Sequence, residues 1–198
     1  PFPFLGQQMT GVNVSSNGAL YFTNEVNPSF GPFDFAVGTE HNLNNLPMIA
    51  GMWADLRTDR NSTDNVYMVK PDLDRVIFRW QAVTFEDETP ANFEIELRRD
   101  GTIETRYGNG NANLKRVIVG ISGGDPDAYL VGSHSSEAAT LSLTNAQSIT
   151  FALRNPPPPP ISDLAIKITA SPEPVLSGQN LVYLVVLTNL GPNPTDLP

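Results

Sequence analysis

The sequence predicts an all-β protein built as an antiparallel β-sandwich, and three observations carry that prediction. Prolines number 18 and glycines 15 among 198 residues, enough to cut the chain into short elements. Apolar and polar residues alternate in stretch after stretch, which is the period of a strand with one buried face. No window longer than two turns carries the i, i+3, i+4, i+7 apolar spacing of a helix.

The elements follow in chain order. "TGVNVSS" puts Val12 and Val14 on one face and Asn13 and Ser15 on the other. Asn17-Gly18 is a strong hairpin signal, because both residues tolerate positive φ. "ALYFT" then returns with Leu20 and Phe22 on one face. Residues 24–46 read as a long loop rich in Asn, Pro and Phe. "MIAGMWADL" (Met48–Leu56) is almost continuously apolar, as a buried central strand requires. "VYMVK" (Val66–Lys70), the turn "PDLD" and "RVIFRWQAVTF" (Arg75–Phe85) make the next hairpin. In "NFEIELRR", Phe93, Ile95 and Leu97 face in, while Glu94, Glu96 and Arg98 face out. Asp100-Gly101 turns that strand into "TIETRY", and "RVIVGIS" (Arg116–Ser122) reads as another buried strand. "ATLSL" and "SITFAL" are expected to pair with each other, giving nine or ten strands in all.

Five consecutive prolines, Pro156–Pro160, then predict a polyproline II spacer of roughly 15 Å, at about 3.1 Å per residue. Beyond it, "DLAIKITASPEP" and "NLVYLVVLTNLGPNP" are strong strand candidates. An Ig-like sandwich needs about 100 residues, so this part reads as an incomplete Ig-like β-module. The expected organisation is a sandwich over 1–153, a polyproline linker over 154–160, and a partial Ig-like repeat or strand-exchange segment over 161–198.

Composition excludes several functions. The net charge of −9 repels phosphate backbones and anionic lipid heads, so neither nucleic acid nor a membrane surface is an expected partner. With no cysteine there are no disulfides and no thiolate metal sites. No apolar run reaches the roughly 18 residues that cross a bilayer. The chain opens at Pro1 without a basic and apolar leader, and reads as a mature or trimmed product.

Five stretches, in order, carry a resemblance: "PFPFLGQQMTGVNVSSNGALYF", "PMIAGMWADL", "RVIFRWQAV", "NFEIELRRDGTIETRYGN" and "VIVGISGGD". Together, over about residues 1–153, they resemble the nidogen-like domain of extracellular proteins. The resemblance implies an extracellular β-rich module of matrix, adhesion and bacterial surface proteins, with no catalytic residues to carry over. The later stretch opens with Asp163-Leu164-Ala165, continues through the Ser171–Pro174 turn and Tyr183, and closes on Thr188–Pro192. It is similar to the start of an Ig-like repeat strung in tandem along bacterial surface proteins.

Candidate sites are few. His41 and His134 are expected in loops; His134 sits in "GSHSS", which lacks the G-x-S-x-G spacing of a nucleophile elbow. No residue is assigned as catalytic, and the chain is expected not to be an enzyme. Glu86-Asp87-Glu88 offers paired carboxylates, against which stands a solvated turn. Calcium is the one cofactor considered. Asp55, Asp59, Asn61 and Asp64 form one oxygen-rich loop, and Asp125 and Asp127 a second, with Asx turns as the competing reading for both. Asn61 and Asn13 begin glycosylation sequons, Asn61 being the better placed. Phe30, Phe33 and Phe35 are read either as a lid on the sandwich or as a sugar-binding set.

Assembly is the leading expectation. Leu164, Ile166 and Ile168, with Val182, Leu184 and Val186, form an apolar ribbon that two strands cannot bury alone. The expected partners are other copies of the chain or further Ig-like repeats, with a glycan or a host or matrix protein as the ligand of an adhesin. The expected place is the cell surface or outside the cell.

Overall fold

In the computed structural model the described residues are 1–23, 39–44, 46–152 and 164–189. They fall into two units, Pro1–Leu153 and Arg154–Pro198, each taken by itself.

The first unit is an antiparallel β-sandwich. One sheet runs in the order β12 (Tyr129–His134), β11 (Ile118–Gly123), β5 (Pro47–Trp53), β4 (Ala19–Thr23) and β3 (Gly11–Val14). The other runs β13 (Ile149–Phe151), β10 (Ile103–Tyr107), β9 (Pro90–Arg98) and β8 (Arg75–Thr84). The far edge of β8 is shared by β6 (Leu56–Arg57) and β7 (Asn65–Val69), which pair with different parts of it. A small hairpin, β1 (Phe2–Phe4) and β2 (Gln7–Met9), adds Phe4 and Met9 to the core.

The core forms where the alternating apolar residues of the two sheets meet. Leu20, Ile49 and Met52 from one sheet pack with Phe78, Trp80, Phe93 and Ile95 from the other. Trp80 and Phe93 stack with centroids 4.9 Å apart. Two long-range hydrogen bonds anchor this layer: Trp80 Nε1 donates to Ser15 O at 2.8 Å, and Tyr107 Oη donates to Gly51 O at 2.8 Å. Burial raises the Tyr107 hydroxyl pKa, so it stays a donor across the physiological range.

The first sheet is apolar on both faces. Besides Leu20 and Phe22, β4 buries Ala19 and Tyr21 in a second cluster with Met48, Trp53, Ile118 and Leu43. Leu43 comes from α1 (Glu40–Leu43), one helical turn inside the segment expected to be loop. Thr39 caps it by accepting from Asn42 N–H at 3.2 Å, and Tyr129 Oη donates to Glu40 Oε1 at 2.7 Å. That bond raises the tyrosine's pKa.

The turn at Asn17-Gly18 is present, but it is not built from two left-handed residues. Gly18 N–H donates to Ser15 O and only Gly18 has positive φ, at 83°. This is a type I turn closed by a left-handed glycine. Asn17 is needed for its side chain, whose Oδ1 accepts from the distant Leu56 N–H at 3.0 Å.

Other differences have similarly local causes. "ATLSL" and "SITFAL" do not pair: Leu141 only bridges to Leu114, and β13 joins β10. The strands β1, β2, β6 and β12 were not expected; the first three have only two or three residues each, too few for a period to show. The β1–β2 turn is Leu5-Gly6, both at positive φ (44° and 83°), a geometry that normally selects Asn-Gly. Leu5→Asn should therefore stabilise the protein by about 0.5–1 kcal/mol, measured by urea unfolding at fixed m-value.

The second unit is a hairpin of β14 (Leu164–Ser171) with β15 (Val182–Asn189).

Candidate functional site

The hairpin of the second unit is the candidate assembly site, and its register decides what it offers. Ile166 lies opposite Leu187, Ile168 opposite Val185, and Ala170 opposite Tyr183. Directly opposed residues share a face. Ile166 and Ile168 therefore share their face with Tyr183, Val185 and Leu187; the Leu164 side chain lies outside what is described. Val182, Leu184 and Val186 lie on the other face, opposite Ser171, Thr169 and Lys167.

This corrects the single six-residue ribbon expected from the sequence. Each strand has the period of two, but even-numbered residues pair with odd-numbered ones, so Ile166 and Ile168 fall on the side opposite Val182, Leu184 and Val186. One face carries Ile166, Ile168, Ala170, Tyr183, Val185 and Leu187 and ends on Asn189, and the other sets Val182, Leu184 and Val186 against the polar Ser171, Thr169 and Lys167. Both are open: Ile166 is 65% and Leu184 61% exposed.

The carboxylates considered for calcium are held mostly by their own neighbours. Asp59 accepts a bidentate pair from Arg57, Nε at 2.6 Å and Nη2 at 2.9 Å. Hydrogen bonding to Arg57 holds its pKa below the ordinary aspartate range. Asp64 closes a turn by accepting from Asn61 N–H and Asn61 Nδ2. The Asp55 side chain is exposed, and its backbone carbonyl accepts from Phe85 N–H. Asp125 makes an Asx turn, its Oδ1 accepting from Asp127 N–H at 2.8 Å. Among the described residues no three acidic or histidine side chains converge as metal ligands would.

The remaining candidates sit as follows. Asp87 accepts from Thr84 Oγ1 and from Thr89 N–H in the turn between β8 and β9, and the first of these bonds chiefly lowers its pKa. Glu88 pairs with Arg60, so the acidic triplet forms the turn itself. His41 lies in α1, not in a loop, and His134 ends β12. His134 lines a groove of about 470 Å³ with Glu40, Arg116 and Ser136. The neighbouring Ser135 Oγ is engaged, accepting from Val117 N–H at 3.0 Å. Asn61 is exposed in its turn, whereas Asn13 is half-buried within β3 and the Ser15 of its sequon is buried. Phe30, Phe33 and Phe35 lie outside the described residues.

Two features were not found from the sequence. One is a groove of about 470 Å³ at one end of the sandwich, floored by Phe2, Val12, Phe22, Val76 and Leu97. Lys70, Asp72, Arg75 and Arg99 rim it. The other is an ion network on the outer face of β9 and β10. Arg98 reaches Glu96 (2.6 Å) and Glu104 (2.8 Å), and Arg106 reaches Glu94 (2.7 Å), Glu96 (2.8 Å) and Glu104 (2.9 Å). Glu96 does face outward as expected, yet it is 1% exposed because both guanidinium groups lie against it. Burial alone would raise its pKa; hydrogen bonds from Arg106 and Arg98 outweigh burial and hold it low. The signal lay in the hairpin: pairing about Asp100-Gly101 sets Glu94 opposite Arg106 and Glu96 opposite Glu104.

A family model described as NIDO related matches residues 1–158. It supports the nidogen-like part of the resemblance. No curated protein and no solved structure matches the chain.

Proposed function

Because the chain belongs to the NIDO-related family, we propose that it is a non-enzymatic structural or adhesive module of a bacterial surface, working outside the cell. Its C-terminal hairpin, read as the start of an Ig-like repeat, is completed by strands from other copies of the chain or from further repeats. The observation that supports this is the hairpin with two open faces. A two-stranded hairpin is marginal by itself in water. Covering six side chains of the Ile, Val and Leu type contributes roughly 10 kcal/mol before entropy, at about 1.5–3 kcal/mol each. Strand addition supplies both the missing backbone partners and that cover. A hairpin inserting into a different surface of the next copy makes a head-to-tail contact, which grows into a filament unless the rotation closes.

The test is light scattering and negative-stain imaging of the full chain beside Ile168→Asp and Leu184→Asp. The wild type should form extended assemblies, and each substitution should remove them, since each puts a charge on one apolar face. Assemblies of unchanged length in both variants would reject the hairpin as the joint.

A second reading is a carbohydrate- or protein-binding adhesin. The groove floored by Phe2 and Phe22, whose rings stack at 5.4 Å, favours it. An aromatic floor with a charged rim suits a ligand that is apolar on one side.

A further inference from the structure

We propose that two copies of this chain pair through the free edge of β7, antiparallel, about a two-fold axis at Tyr67. Neither this pairing nor the hairpin reading rests on the other.

Strand β7 pairs with β8 alone, so its other edge is open among the described residues. An open edge is ordinarily blunted by a charge, a proline or a bulge. Asn65–Val69 contains no charge and no proline, and its pairing with β8 runs without a register shift. Instead it presents large apolar groups on both sides. Met68 is 60% and Val69 52% exposed, and Tyr67 is exposed beside them. Met68 pairs with the core residue Phe78, so it stands on the inner face of the sheet at the open border of the sandwich.

The flanking charges say what covers this edge. Asp64 precedes the strand and Lys70 follows it. When the strand pairs with itself about Tyr67, Asn65 meets Val69 and Val66 meets Met68. The same register sets Asp64 of each copy opposite Lys70 of the other, giving two ion pairs. Sliding the register by two residues either way loses both pairs and brings Pro71 or the Asn61–Asp64 turn against the partner strand. Lys70 has no carboxylate within ion-pairing distance among the described residues, and one Asp64 oxygen already accepts from Asn61. A two-fold perpendicular to the sheet keeps inner face beside inner face, so Val66 and Met68 cover each other's open side. The contact is short and closes at two copies, so the dimer is weak and concentration-dependent.

The chain has no cysteine, which allows a register-specific test. On the axis, Tyr67→Cys faces its own copy, with Cα atoms about 4.5–5.5 Å apart, inside the span of a disulfide. Val69→Cys faces Asn65. Both are made in the full chain carrying Leu184→Asp, which removes hairpin assembly, and thermal melts confirm that each folds. Under mild oxidation Tyr67→Cys should become a covalent dimer at least tenfold faster than Val69→Cys. Adding Lys70→Glu to Tyr67→Cys should slow it about tenfold, because two attractive pairs become repulsive. Mixing that protein with Tyr67→Cys, Asp64→Lys should restore the rate, since both pairs become attractive again in the mixed dimer. Equal rates for the two single cysteines, no dimer from Tyr67→Cys, or indifference to Lys70→Glu would overturn the pairing. None of these outcomes bears on whether Leu184→Asp dissolves filaments.

Discussion

Gly18→Ala should destabilise the sandwich by about 3–5 kcal/mol and lower the melting temperature of the first unit by about 10 °C or more. Two independent costs add at this position. Gly18 sits at φ 83°, where a side chain adds roughly 1–2 kcal/mol of strain. A Cβ there would also lie 2.2 Å from the Met52 carbonyl oxygen and 2.9 Å from its carbon. That carbonyl belongs to β5, the central strand of the first sheet, and cannot swing away as a side chain would. Gly18 O in turn accepts from both Gly51 N–H (3.1 Å) and Met52 N–H (3.3 Å), the signature of a β-bulge. The bulge lets Met52 point into the main core while Trp53 points to the opposite face. Moving Gly18 would therefore disturb both faces of the sheet at once.

The control separates the two costs. Gly6 has the same φ, 83°, and nothing within 4 Å of its Cβ position. Gly6→Ala should lose only about 1 kcal/mol, the backbone part alone. Chemical unfolding of both variants at constant m-value measures the difference. If Gly18→Ala costs no more than Gly6→Ala, the close approach of β5 does not hold the sheet together.

The contrast between these two glycines also marks what was legible in the sequence. The Asn17-Gly18 turn was visible because a turn is specified by adjacent residues. That Asn17 serves the Leu56 N–H, and that Gly18 is forced by Met52, depends on contacts between residues far apart in the chain, which no local pattern encodes. Strands of five residues or more mostly declared themselves, because period 2 needs that length to stand out from chance. The six-residue β12 did not, since Gly132, Ser133 and His134 dilute its alternation. The hairpin of the second unit shows the next level of difficulty. Both strands were legible, yet which triplets share a face depends on register, and a one-residue change of register reverses the answer. The candidate calcium loops failed to converge for a simpler reason. An arginine two residues before Asp59 and an asparagine three before Asp64 are near enough to engage those carboxylates first.

Glu96→Leu should cost about 2–4 kcal/mol at pH 7, and the loss should shrink in acid. The glutamate is buried against two arginines, so its removal leaves Arg98 and Arg106 beside Glu104 and Glu94 with one fewer acceptor between them. Breaking a dry ion pair costs about 3–5 kcal/mol. Here the figure is lower, because Arg98 and Arg106 remain partly exposed and keep their bonds to Glu104 and Glu94. The pH dependence follows from the lowered Glu96 pKa in the folded protein. Between that value and the unfolded value, about 4.3, the unfolded chain binds more protons than the folded one. Stability from Glu96 is then fully present above the unfolded value and lost as pH falls through the folded one. Wild type and variant should be furthest apart above the unfolded value and should converge as the pH falls below it. Asp59, Asp72, Asp87 and Asp100, whose pKa values are also lowered, add to acid sensitivity equally in both proteins and cancel in the comparison. Urea unfolding of the pair at pH 7, 5, 4 and 3 provides the measurement. A gap that stays constant across that range would mean that Glu96 stabilises the sheet by packing alone, and that the arginines hold its charge without contributing to the fold.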